Sequence, residues 1–182
     1  MIGTVDSCFL IDWSRYRKRD LLPDLFEALF MHEEILSQLR SPVPTEYVSH
    51  LLSRGILRLY PWSSREEIYI ELRDQISLDP RIPSLERPDL LCLVIALRTG
   101  STLLTENLGI IRVVQFHPRC SGVDVWTSLE VLEQLAYRGS LKVGSVDDFL
   151  RRVAEYEEDT GHLFSRRRLD DVVKRVRKWL GE

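Results

Sequence analysis

Met1-Ile-Gly-Thr-Val-Asp-Ser-Cys-Phe-Leu-Ile-Asp12 is the stretch on which the fold turns. A short apolar run ends on a carboxylate, Asp6, and an amphipathic helical pattern begins directly after it. Such a run reads as a buried parallel strand, and open α/β sheets bind ligands outside the carboxyl ends of their strands. Asp6 is therefore expected at the mouth of a sheet, with Ser7 able to cap the following helix. The plain alternative is that Asp6 is itself only a helix cap. The rest of the chain has to decide.

Working outward, a helix is expected over residues 9–19, its outer part carrying Arg15, Arg17, Lys18 and Arg19. A further helical pattern covers residues 21–28. Residues 29–39 read as a short strand running into a helix, on which Glu34 and Gln38, four apart, share a face. Residues 42–54 form a helix ended by Gly55, and residues 56–60 a strand closed by Pro61. Ser64-Arg-Glu-Glu67 has capping-box spacing and opens a helix to about residue 76. After a loop with Pro80, Pro83 and Pro88, Asp89 stands at the start of an apolar, buried helix over 90–97, stopped by Gly100. Residues 101–106 are a second apolar strand ending in Thr105, Glu106 and Asn107. A turn through His117-Pro118, a strand over 123–126 and a helix opened by Thr127-Ser-Leu-Glu130 follow. Alternating strands and helices imply a parallel sheet in an α/β fold.

Composition sets the outer bounds. With 182 residues, 44% of them apolar, the chain suits one globular domain with an appended segment. No apolar run reaches the roughly 18 to 20 residues that span a bilayer, so no membrane is expected as a partner. The first residues lack a basic region and a small-residue cleavage site, so no signal peptide is expected. Cys8, Cys92 and Cys120 are odd in number and lack metal-ligand spacing, which suits reduced thiols in the cytoplasm. The net charge of −3 means that a nucleic-acid partner would need a local basic patch. His32, His50, His117 and His162 show no zinc-type pairing. Ser7 and Cys8 have no assignable base that would make either a nucleophile.

The chemistry lies in where the acids fall. Asp6 and Glu106 each end a strand, and strand ends share one edge of a parallel sheet. The proline-rich stretch from Pro80 to Pro88 could lift Asp89 to the same edge. Pooled carboxylates repel, and a hard cation with oxygen ligands, Mg²⁺ or Mn²⁺, relieves that cost and polarises a phosphodiester.

Val5-Asp-Ser-Cys-Phe-Leu-Ile-Asp12 resembles the opening of the PIN-domain ribonucleases, including the toxin nucleases of toxin–antitoxin pairs. Asp89 before Val94-Ile-Ala96 is similar to that family's third acid, and Leu103-Leu-Thr-Glu-Asn107 to its fourth element. Residues 125–132 resemble its last strand and helix. The resemblance covers about residues 2–140; 141–182 would be a helical C-terminal extension packed on that domain. It implies a three-layer α/β/α fold and a metal-dependent endoribonuclease holding Mg²⁺ or Mn²⁺ on Asp6, Asp89, Glu106 and Asn107, with Glu34 or Gln38 completing the site. Asp6, Asp89 and Glu106 would be the catalytic set. RNA, an antitoxin-like protein and further copies of the chain are the expected partners.

Two positions depart from the family. Gln38 stands where its second acid is a Glu, and Glu34, a turn earlier, is the substitute at hand. Glu106 and Asn107 each match the fourth position in part. Fewer charges weaken metal binding, so the alternative is a weakened PIN-like module that binds RNA or a protein partner. The C-terminal run adds Leu169, Val172, Val173, Val176 and Leu180 on one stripe and a basic opposite face from Arg166 to Lys178. That helix either packs with its charges solvated or grips RNA or a partner.

Overall fold

The computed structural model of the chain describes residues 1–62, 67–81 and 85–182. The capping spacing expected from Ser64 and the part of the loop around Pro83 fall outside them. Strand β1 (Ile2–Val5) lies at the centre of a five-stranded parallel sheet. Its neighbours are β2 (Ala28–Met31) and β4 (Thr102–Leu104), with Thr4 opposite both Phe30 and Leu103. Beyond them lie β3 (Leu57–Leu59) and β5 (Val125–Trp126), giving the order β3-β2-β1-β4-β5. Gly3 is required by close packing, because a Cβ there would stand 2.8 Å from Leu29 Cδ2 and 3.0 Å from the Phe26 ring.

Right-handed crossovers then fix the layers. The chain steps from β1 to β2 to β3 in one direction, which places α1 (Ser7–Arg15) and α2 (Pro42–Ser53) on one face. It doubles back to β4, so α3 (Glu67–Leu78), α4 (Arg87–Thr99) and α5 (Leu108–Phe116) cover the other. Helix α6 (Ser128–Tyr137) returns to the first side, where α7 (Val146–Thr160) packs on α1 and α6, and α8 (Arg166–Leu180) on α6 and α7. The result is the expected α/β/α arrangement. Phe149, Val153, Tyr156, Val172 and Val176 of the last two helices are buried in the same core as Val5 and Leu104. Among the described residues no helix is long and apolar enough to cross a membrane.

Several elements differ from expectation. Helix α1 stops at Arg15, and the pattern over 21–28 becomes a 3₁₀ helix, Arg19–Asp24, with Pro23 inside it, followed by β2. The helix after β2 is also 3₁₀, Glu33–Gln38. At three residues per turn, positions three apart eclipse, so Glu34 and Gln38 sit about a third of a turn apart and do not share a face. The turn expected before His117 is instead α5, whose apolar period (Ile110, Val113, Val114) was hidden behind the His117-Pro118 break. Asp89 reaches the carboxyl edge without help from the preceding loop. Helix α4 ends at Gly100, beside the start of β4, and its 13 residues run about 20 Å back to the other edge.

Candidate functional site at the sheet switch point

The sheet reverses its winding between β1 and β4, and in doubly wound sheets the crevice at that reversal is where ligands bind. Asp6 follows β1 there and Thr105, Glu106 and Asn107 follow β4, so the order of strands by itself brings the first and fourth motifs together.

Asp6 is 1% exposed and is held from several sides. It is the N-cap of α1, with Oδ1 accepting from Phe9 N at 2.8 Å, while Oδ2 accepts a short hydrogen bond from the Thr105 hydroxyl. Its own N–H extends the β1–β4 ladder to Leu104 O at 3.2 Å. Thr105 Oγ1 in turn accepts from Asn107 N at 2.9 Å. The capping alternative therefore holds as geometry: Asp6, not Ser7, caps the helix. Burial pushes the Asp6 carboxyl up to about 7 against the two donors, and the charges of Asp89 and Glu106 push it the same way. Among the described residues no cationic side chain is paired with Asp6.

Asp89 occupies the first turn of α4 and closes a capping box by accepting from Glu86 N at 3.2 Å. Its carboxyl is raised chiefly by partial burial, against hydrogen bonds from Glu86 and from the Asn107 side chain. Asn107 caps α5, its Oδ1 accepting from Gly109 N at 2.8 Å, and so presents its nitrogen to Asp89.

Glu106 turns elsewhere. Its Oε1 accepts from Ser128 N at 2.7 Å, and His162 Nε2 lies 3.4 Å from Oε2. Nδ1 of the same ring stands 3.1 Å from Asp12 Oδ2. Glu34 is bound by Arg87, at 2.9 and 3.1 Å, and Gln38 is half-buried on the same 3₁₀ turn. The structure thus brings Asp6, Asp89 and Asn107 together, turns Glu106 to Ser128 and His162, and Glu34 to Arg87, and shows no contact of Gln38 with them. Partial burial and the charges of Asp6 and Asp89 push the Cys8 thiol up to about 12, which disfavours its thiolate near neutral pH.

Nothing in the sequence pattern marks Thr105 as the donor to Asp6, Ser128 as the anchor of Glu106, or His162 as the group joining Glu106 to Asp12. The first follows once β1 and β4 are neighbours. The other two depend on contacts across 22 and 56 positions that no local pattern carries.

Among the described residues no three His, Cys, Asp or Glu side chains gather closely enough to form a metal centre. A smaller set still fits a hard cation, because Mg²⁺ is commonly held by one or two carboxylates with waters and substrate phosphates. Asp6 and Asp89 supply two oxygen-donor carboxylates without a neutralising cation. Fold and site together define a doubly wound α/β protein with an acidic switch-point centre. Comparison with protein-family models, curated proteins and solved structures gave no match.

Proposed function

We propose that the chain is a PIN-like, divalent-cation-dependent endoribonuclease whose centre is reduced to two carboxylates, Asp6 and Asp89. The observation that carries this reading is Asp6 itself: a buried carboxylate at the switch point that faces Asp89 and Glu106 and is paired with no basic side chain among the described residues. Burying such a group is costly unless it serves a cation. Asp6 and Asp89 would hold Mg²⁺ or Mn²⁺, which when bound would polarise the scissile phosphodiester and acidify the attacking water. Thr105 and Phe9 N fix the Asp6 carboxylate, and the Asn107 amide steadies Asp89. An RNA substrate would place the protein in the cytoplasm. With two charges instead of four, turnover would be slow.

The engaged Glu106 and the neutral Gln38 favour a second reading, a PIN-like module that binds RNA without cutting it. One experiment separates the two. Single-stranded RNA is incubated with the protein in Mn²⁺ or in EDTA, alongside Asp6→Asn and Asp89→Asn. The hydrolytic reading requires Mn²⁺-dependent cleavage that drops at least 100-fold in either variant, with circular dichroism unchanged. Cleavage unaffected by both substitutions, or no Mn²⁺ uptake at millimolar concentration, overturns it.

A further inference from the structure

A groove of about 750 Å³ runs beside the β5 edge of the sheet, between α5 and α8. Its floor is aliphatic, from Leu108, Ile111, Val114 and Val125, and Leu108 is 70% exposed. Its walls are basic. Arg112 on α5 and Arg167 on α8 are exposed and have no partner among the described residues. Two other arginines of α8 are already committed: Arg168 makes two hydrogen bonds of 2.9 Å to Glu130, and Arg175 grips Glu133 at 2.7 and 2.6 Å. Those pairs dock α8 on α6 and leave the outer cations free. The one groove carboxylate on α8, Asp171, is offset by Lys174 at 3.3 Å.

Guanidinium groups on facing walls repel unless an anion lies between them, so the groove suits a polyanion. Its upper end decides which one. Leu108 directly follows Asn107 of the candidate centre, and the linker before α8 is held there through His162 on Glu106. Beside the groove, Arg167 and Lys178 lie on one face of α8 over about 16 Å, at a rise of 1.5 Å per residue, with Lys174 between them bound to Asp171. A line of cations leading into an acidic hydrolytic centre matches a strand whose phosphates lie outside the scissile one. Arginine planes and an aliphatic floor also suit unpaired bases and ribose.

We propose that the α5–α8 groove is the track of a single-stranded RNA that enters the switch-point site, an inference that rests on the nuclease reading for its direction. The helix supplying most of the track lies outside the stretch that resembles a nuclease.

The test is fluorescence anisotropy of a labelled oligouridylate with the full chain in EDTA, which separates binding from cleavage. Arg112→Glu and Arg167→Glu should each weaken binding at least tenfold at low salt. Each should also lower the slope of log affinity against log salt by about 0.7, the single-strand value per phosphate contact. Arg54→Glu, on the exposed end of α2 at the opposite edge, should change affinity less than twofold. Wild-type-like affinity in both groove variants overturns the track, as does an acidic peptide that binds the groove when RNA does not. Asp6→Asn must bind as the wild type does. If it binds but nothing is ever cut, the hydrolytic reading falls and the track stands; cleavage with unaltered binding in the groove variants leaves the reverse.

Discussion

At the scale of single residues, one carboxylate is both a fold element and a candidate ligand. Asp6 satisfies the first turn of α1 and receives Thr105, yet burial leaves it with a proton affinity near neutrality, raised from 3.8 to about 7. Folding therefore takes up a proton at this position between those two pH values. Its contribution is most favourable below 3.8 and is lost as pH rises through 7, by about 4 kcal/mol for a shift of this size. Asn keeps the capping oxygen but cannot ionise. The difference in unfolding free energy between wild type and Asp6→Asn, measured in urea from pH 4 to 8, should thus move steadily in favour of the variant. Asp6→Ala, which cannot ionise either, should show the same trend with pH but from a lower baseline, since it removes the cap and leaves Thr105 without its acceptor. A flat difference curve would show that Asp6 is ionised in the native protein throughout. Glu130 behaves in the opposite sense: burial alone would raise it, but Arg168 and Thr127 outweigh that and hold it low, so its stabilisation is lost as the pH falls.

At the scale of elements, what could be read depended on whether a segment's own pattern decided its form. Helix α4 was legible because Leu90 to Ala96 are buried all round, and α6 because Thr127 and Glu130 close a capping box. The 3₁₀ turns after α1 and β2 were not, because an apolar residue every third or fourth position suits either helix type. Helix α8 was legible as amphipathic, but the partners of its basic face were not. Arg175 meets Glu133, a carboxylate only 2% exposed that also accepts from the Tyr137 hydroxyl at 2.7 Å. Arg175→Ala leaves that acid buried with one donor and no cation, at a cost of about 1–3 kcal/mol in urea unfolding. Arg177→Ala, at an exposed position of α8, should cost less than about 0.5 kcal/mol. Equal losses for the two would mean that the Glu133 pair does not hold α8 to α6.

At the scale of the whole molecule, the sequence carried the parallel α/β class and put Asp6 and Thr105 to Asn107 at strand ends, but not the strand order that makes β1 and β4 neighbours. It did not carry the fate of Glu106, which depends on how residues beyond 140 return to the sheet. Those residues also bear on whether 1–140 is a separable domain. Tyr156 stacks on Phe164, meets Tyr16 edge-on and Trp13 at a tilt, and its hydroxyl donates to Ser128 Oγ at 2.6 Å. Phe149, Val153, Tyr156, Val172 and Val176 are each at most 2% exposed. At about 1.5–3 kcal/mol for each fully buried side chain, removing five of them forfeits roughly 7–15 kcal/mol, as much as the net stability of a typical domain. It also bares the faces of α1 and α6 that they cover. The full chain is therefore expected to unfold in one transition, with tryptophan fluorescence and far-UV circular dichroism coinciding in urea. A chain ending at residue 140 should lack a cooperative transition and bind a hydrophobic dye. Two separated transitions in the full chain, or a cooperative fold in the shortened one, would make the last two helices an appendage, and the groove beside α8 would then be no fixed part of the site.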